Sequence, residues 1–243
     1  MATLMGKKIV VIGGSSGIGL GVATASVERG AEVVIVGRSQ DKLLNARRIL
    51  ANGGGVKTVT ADMTREQEIA AVFAGIGTFD HLVSTAGTPP PGEPVADADA
   101  EIIRRFIENK LIGAVLVAKY AVRTLKPGGS MTFTSGINKD RPPVPGGAVV
   151  SAVAGSFSYL ARALSLELAP SRVNVVSPGW VDTPMFDELV GDAKMGYFAS
   201  MAARLPVGRI AAPRDVAPAY LFAMESDFTT GETIHIDGGQ RLV

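Results

Sequence analysis

Residues 8–12, Lys-Ile-Val-Val-Ile, form a short apolar run rich in β-branched side chains, and glycines follow at positions 13, 17 and 19. The run reads as a buried strand. Gly13 permits a tight turn out of it, Gly17 lets the backbone approach a pyrophosphate, and Gly19 lets the next helix pack closely on the sheet. That helix reaches Arg29-Gly30 and points unpaired N–H groups, with the positive end of its dipole, at the turn. A second apolar strand, 32–36, follows. The strand–turn–helix–strand context makes the turn a dinucleotide site rather than an ordinary glycine loop. The backbone of Ser15, Ser16 and Ile18 belongs to the same cradle.

The rest of the chain repeats the alternation. A helix over 41–50, capped by Ser39, ends in the run Asn52-Gly53-Gly54-Gly55. Strands are expected at 56–60, 81–84, 130–134, 172–176 and 233–236. Thr64-Arg65-Glu66-Gln67 has capping-box form and opens a helix to about Phe73. A long helical pattern runs from Asp99 to Leu125 and stops at Lys126-Pro127-Gly128-Gly129; another covers Ala148 to Ala169, and Pro213 starts a further one. Strands alternating with helices imply right-handed crossovers and a parallel sheet covered on both faces. The expected fold is α/β: a single Rossmann-like, doubly wound domain over 1–243 with about seven strands. Ligands bind beyond the strands' C-terminal ends in such sheets. Segment 184–205 then reads as a substrate lid, and its Met and Phe content suits an apolar ligand or plain packing equally.

With 243 residues, 47% of them hydrophobic, the chain can bury a sizeable core. A formal net charge of +1 indicates neither nucleic acid nor an anionic membrane as partner. Cysteine is absent, which removes disulfides, thiolate catalysis and Cys-based metal sites. The first residues, Met1 to Lys8, lack the apolar core of a signal peptide, and no uninterrupted apolar run is long enough to span a bilayer. A soluble cytoplasmic protein is expected. His81 and His235 lie in strand contexts with no metal-ligand cluster around them, and are read as structural.

The end of the second strand selects between dinucleotides. An acidic residue there would bond the adenosine ribose 2′-hydroxyl. The chain has Gly37-Arg38-Ser39, whose guanidinium fork and hydroxyl suit a 2′-phosphate, so NADP(H) is favoured over NAD(H). A solvated surface arginine is the plain alternative.

Together these segments resemble the short-chain dehydrogenase/reductase family over nearly the whole chain. Gly13-x-x-x-Gly17-x-Gly19 has that family's spacing. Asp62 with Met63 falls where an aspartate meets the adenine amino group. Ser84-Thr85-Ala86-Gly87 occupies the Asn-Asn-Ala-Gly position, and Asn109 matches a helix asparagine of the catalytic set. Pro178, Gly179, Val181 and Thr183 lie in the segment that covers the nicotinamide, while Leu205 to Arg209 and Ile236 to Gly239 match the C-terminal pattern. The resemblance implies hydride transfer between NADP(H) and a small-molecule substrate, and a homodimer or homotetramer.

Ser135 sits where the family's carbonyl-orienting serine belongs; a strand-end turn cap is the alternative. The Tyr and Lys of the pattern are missing. The segment Arg162 to Pro170 matches the family's downstream helix, and counting back from it puts Val150 and Ala154 at those two positions. Tyr159 cannot stand in: nine residues at about 100° each place it on the opposite helix face, about 13 Å along. It is read as a packing or interface residue. Ser135, Ser151, Lys139, Arg141, Tyr197 or a water remain as proton sources, although Lys139-Asp140-Arg141 reads more simply as a solvated loop. Asp182, Asp187 and Glu188 read as helix caps. The expected activity is an NADP(H)-dependent oxidoreductase acting on a small carbonyl, imine or activated double bond with a non-standard proton donor. An inactive or non-redox NADP(H)-binding protein, a sensor or scaffold, is the alternative.

Overall fold

The structure is a computed structural model that describes residues 3–50, 55–87, 89–90 and 92–243; the expected helix stop at 52–54 lies outside the described residues. Strands β1 (Lys8–Ile12), β2 (Glu32–Gly37), β3 (Val56–Thr60), β4 (Phe79–Ser84), β5 (Leu125–Thr134), β6 (Arg172–Pro178) and β7 (Thr233–Ile236) form one parallel sheet in the order β3-β2-β1-β4-β5-β6-β7. After β1 the chain builds outward to β2 and β3, then crosses back to lay β4 on the other side of β1. The C-terminal ends of β1 and β4 therefore flank the point where the order reverses, and Ile12 pairs with Ser84 there. That crevice is where a doubly wound sheet takes a ligand.

Side-chain alternation splits the core in two. Val10, Ile12, Val34, Val36, Met131, Phe133, Val173 and Val175 point to one face. There they meet α3 (Glu66–Ile76), α4 (Ala100–Ile107), α5 (Gly113–Ala121) and α6 (Gly147–Glu167). Ile9, Val11, Val33, Ile35, Val83 and Val176 point to the other, against α1 (Gly17–Glu28), α2 (Gln40–Leu50) and α9 (Pro213–Glu225). Each fully buried aliphatic or aromatic side chain contributes on the order of 1.5–3 kcal/mol, which is why the central strands carry runs of Val and Ile. Two short helices, α7 (Pro184–Val190) and α8 (Lys194–Ala202), lie between β6 and α9.

The long helical pattern from Asp99 resolves differently from the expectation. Asp99 caps α4, accepting hydrogen bonds from the N–H groups of Glu101 and Ile102. Residues Glu108–Ile112 then form a π turn, and α5 ends at Ala121. The Pro127-Gly128-Gly129 stop lies within β5, which starts at Leu125. The register between β4 and β5 shifts between Phe79 and His81, and Gly129 sits so close to the Asp80 carbonyl that a side chain there would strike it. The Pro-Gly-Gly run makes an irregularity in the strand rather than ending a helix. At the same strand level His81 Nδ1 pairs with Ser130 Oγ at 2.9 Å in a buried site, and burial pushes its pKa down to about 4.

Candidate active site

β1 delivers Gly13 in a left-handed conformation, φ 82°. A Cβ there would lie 2.8 Å from Thr85 Oγ1 and 2.9 Å from the Ala86 nitrogen; one on Gly19 would run into the Gly13 carbonyl oxygen. Gly17, also left-handed at φ 52°, faces Thr183 at 3.2 Å from where its Cβ would stand. Ser16 is the N-cap of α1, but its side chain makes no capping bond, and the first turn holds no acidic residue. The opening N–H groups of α1 are thus left without a side-chain acceptor, walled by glycines and beside the helix's positive end. This cradle fits a pyrophosphate. Ile18 packs its side chain on the α1–α9 core, and Ser15 Oγ lies against Gly37, 3.3 Å from where a Cβ would stand.

Arg38 is exposed at the end of β2 and has no side-chain partner among the described residues. Ser39 Oγ accepts the Lys42 N–H at 3.3 Å, capping α2 as expected. Beyond β3, Asp62 Oδ1 accepts both the N–H and the hydroxyl of Thr64 at 2.9 Å. That turn overrides the expected capping box: Arg65 becomes the N-cap of α3 without a side-chain bond, and Glu68 accepts the Asp62 N–H at 2.8 Å instead. The Met63 side chain belongs to the core, packed where a Cβ on Gly113 would meet its Cε at 2.6 Å.

At the end of β4, Thr85 Oγ1 donates to the carbonyls of Ile12 at 3.1 Å and Gly13 at 3.3 Å, tying this loop to the glycine turn. Asn109 does not enter the site region in the way the sequence suggested: its side-chain amide donates back to the Arg105 carbonyl at 2.7 Å. The residue that turns inward is its neighbour. Lys110, buried in the π turn, donates from Nζ to the Ala86 carbonyl at 3.1 Å, and its ammonium lies 5.4 Å from the centre of the Phe157 ring. Burial lowers its pKa to about 8. Sequence reasoning missed it because an uninterrupted α-helix was assumed; the signal that could have found it is a lone lysine between Phe106 and the apolar face of α5.

Ser135 follows β5 and is buried. Its N–H donates to the Val176 carbonyl at 2.9 Å, and its hydroxyl donates to the Ala154 carbonyl at 2.7 Å. On α6, Ala154 is buried and Val150 packs on the core. Tyr159 is 72% exposed, with the Arg162 guanidinium 5.6 Å from the centre of its ring. Of the Lys139-Asp140-Arg141 loop, Asp140 and Arg141 are exposed as expected, but Lys139 is drawn inward. The Lys139 side chain is only 12% exposed; its ammonium meets Asp140 at 2.7 Å and His235 Nε2 at 3.2 Å, and His235 Nε2 meets Asp140 at 3.0 Å. Burial raises the Asp140 pKa, but its bonds to Lys139 and His235 outweigh that and hold it below the usual range.

After β6, the Gly179 N–H donates to the Ile236 carbonyl, and a side chain at Gly179 would strike Asp237. The Trp180 N–H donates to Gln240 Oε1 at 3.1 Å, and buried Val181 bridges to Ala211. Pro178 closes β6, and Thr183 is the N-cap of α7 with no side-chain bond. Asp182 and Asp187 do not cap: both pair with Lys194 at 2.6 Å, linking the start of α8 to the segment beside Gly17. Phe186, Tyr197 and Phe198 stack among themselves with centroids 5.1–6.2 Å apart.

A family model described as "Enoyl-(Acyl carrier protein) reductase" matches residues 12–241. The short-chain dehydrogenase/reductase malC of Malbranchea aurantiaca is 34% identical over 254 residues, covering 98% of this chain and 96% of that one. The structure of the MalC reductase/Diels-Alderase superposes with a TM-score of 0.90 at 33% identity, covering 99% of this chain and 98% of that chain. A small-chain dehydrogenase in complex with NADPH superposes at 0.83 with 32% identity, covering 98% of this chain and all of the other. The chain belongs to the short-chain dehydrogenase/reductase family, a family of oxidoreductases.

Proposed function

We propose that the protein is an NADP(H)-dependent oxidoreductase that moves hydride to or from a small carbonyl, imine or activated double bond. The observation that carries the reading is the uncapped, glycine-walled start of α1, closed by Thr85 and Ala86 on one side and Thr183 on the other. Backbone N–H groups of residues 15–19 would hold the pyrophosphate. Arg38, with Ser39, would take the 2′-phosphate, and Asp62 the adenine amino group. The NADPH complex of the related dehydrogenase supports the same pairing of fold and cofactor. The nicotinamide ring, when bound, supplies the hydride chemistry.

The protein's own task is to orient the substrate oxygen and handle its proton. Ser135 is the candidate for orientation. Its hydroxyl currently donates to a helix carbonyl that the α6 ladder already satisfies, so it can turn to a substrate oxygen at small cost. We read Val150 and Ala154 as standing at the positions of the family's Tyr and Lys, and neither side chain can give a proton. A positioned general acid contributes typically ~10²–10⁴-fold, so its loss slows reduction without forbidding it. The second reading rests on those same two hydrocarbon side chains: a dinucleotide-binding protein without redox turnover. The MalC relative, named as both reductase and Diels-Alderase, couples such a fold to a step other than hydride transfer.

A homodimer or homotetramer completes the proposal. Helix α6 has the length and composition of a membrane span, yet it lies on the sheet with Val153, Phe157 and Ala161 buried. Only 22% of its apolar stretch is buried within the chain, and Tyr159 and Leu166 stand exposed on it. A second copy covering this face fits the amphipathic logic of packed helices.

The test is titration with NADPH and NADH, followed by single-turnover oxidation of bound NADPH against a carbonyl and imine panel. Tight NADPH binding with turnover supports the oxidoreductase. Tight binding without turnover across the panel favours the second reading, and no binding of either dinucleotide removes both.

A further inference from the structure

Lys110 is 9% exposed, and its ammonium has one hydrogen-bond partner among the described residues, the Ala86 carbonyl. A lysine carries three N–H donors. The face of Phe157 partly balances the charge, but two donors remain in a place nearly without water. Buried donors left unmade are strongly unfavourable, so the arrangement calls for an acceptor that a ligand brings. The lowered pKa has the same origin.

The backbone has been bent to achieve this. A π turn closes i→i+5 bonds and holds an extra residue, which rotates the following side chains by about 100° relative to an α-helix. Glu108–Ile112 is such a turn, and Lys110 is its middle residue. Gly87 makes room: a Cβ there would lie 2.5 Å from Lys110 Cδ. The surroundings locate the ammonium. Ala86 abuts Gly13 of the phosphate turn, and Phe157 lies one turn along α6 from Ala154, whose carbonyl holds Ser135. Lys110 thus lies between the phosphate cradle and Ser135, on the β4–β5 side of the crevice, away from Arg38 and Asp62, which follow β2 and β3.

We propose that Lys110 is a cofactor-binding residue: its free N–H donors take a hydroxyl oxygen on the nicotinamide half of a bound dinucleotide, replacing from the π turn the lysine that α6 lacks at Ala154. The assignment rests on the dinucleotide reading above. It is tested by titrating the intact protein and its Lys110→Met and Lys110→Arg variants with NADPH and with 2′,5′-ADP, which carries the adenine half alone. Thermal melting of each apo variant runs alongside.

Lys110→Met should weaken NADPH binding at least tenfold, leave 2′,5′-ADP binding within twofold, and leave the melting temperature unchanged or raised. Lys110→Arg should recover part of the NADPH affinity. If NADPH affinity is unchanged in Lys110→Met, or falls together with that of 2′,5′-ADP, the assignment is overturned while the dinucleotide reading stands. If the unaltered protein binds neither probe, both fail. Should Lys110→Met not fold, the Lys110 Nζ resonance of the unaltered protein decides. A shift on adding NADPH but not 2′,5′-ADP supports the assignment, and no shift with NADPH overturns it.

Discussion

The hydroxyl of Ser135 donates to the carbonyl oxygen of Ala154 at 2.7 Å, so the serine beyond β5 is tied to the backbone of α6. The polar group spends its donor on α6 backbone. Ser135→Ala is expected to cut single-turnover NADPH oxidation by roughly 10²-fold, the low end for a positioned proton-handling group. Its effect on urea unfolding should be only about 1 kcal/mol, that of one hydrogen bond. Equal losses in the two assays would make the serine structural.

Arg38 stands exposed at the end of β2 without a side-chain partner among the described residues. A hydrogen bond to a charged group is worth about 1.5–3 kcal/mol, or roughly 10–100-fold in affinity. Arg38→Ala should weaken NADPH by that factor and leave NADH unchanged in calorimetric titration. An unaltered protein that binds the two equally would overturn the 2′-phosphate role.

Gly19 admits no side chain, because a Cβ would occupy the space of the Gly13 carbonyl oxygen. Gly19→Ala is expected to cost about 1–3 kcal/mol by overpacking, read from urea midpoints, and to abolish measurable NADPH binding by shifting the turn. Undiminished binding would mean that the cradle lies elsewhere.

His81 is buried, and that burial, reinforced by the nearby Arg172 charge, lowers its pKa from 6.5 to about 4. Between those values the unfolded chain takes up a proton that the folded protein refuses. Stability is therefore present above about pH 6.5 and falls as pH drops toward 4, by roughly 3 kcal/mol. Urea unfolding at pH 4.5 and pH 7 should show this loss, and His81→Gln, which can still pair with Ser130, should flatten it. An unchanged slope in the variant would place the acid sensitivity elsewhere.

Leu166 is 83% exposed on α6. If α6 is the interface between copies, Leu166→Glu should lower the mass measured by light scattering to that of the monomer, 25.2 kDa, without lowering NADPH affinity. A protein already monomeric before substitution would remove the proposal.

Much of this protein was legible from local pattern. Buried parallel strands demand continuous Val and Ile runs, and a tight turn into a helix demands glycine, so β1, the glycine turn and the alternation that builds the sheet could be read directly. Position in the sequence also put Ser135, Thr85 and Gly179 just beyond β5, β4 and β6. What local pattern could not carry were competitions settled by distant partners. Pro127-Gly128-Gly129 joined a strand because β4 lay beside it. Asp182 and Asp187 turned to Lys194, and Lys139 to Asp140 and His235, 96 residues away. The inward lysine is the clearest case. Periodicity assumes a fixed rotation per residue, and one π turn breaks that assumption, turning Asn109 back onto its own helix and Lys110 toward Ala86. The chain's order of apolar runs and glycines determined the sheet and its glycine turn, because those depend on each residue's own backbone freedom and hydrophobicity. Only the tertiary structure decided which polar groups face the crevice, because that depends on which partners the fold brings within hydrogen-bonding reach.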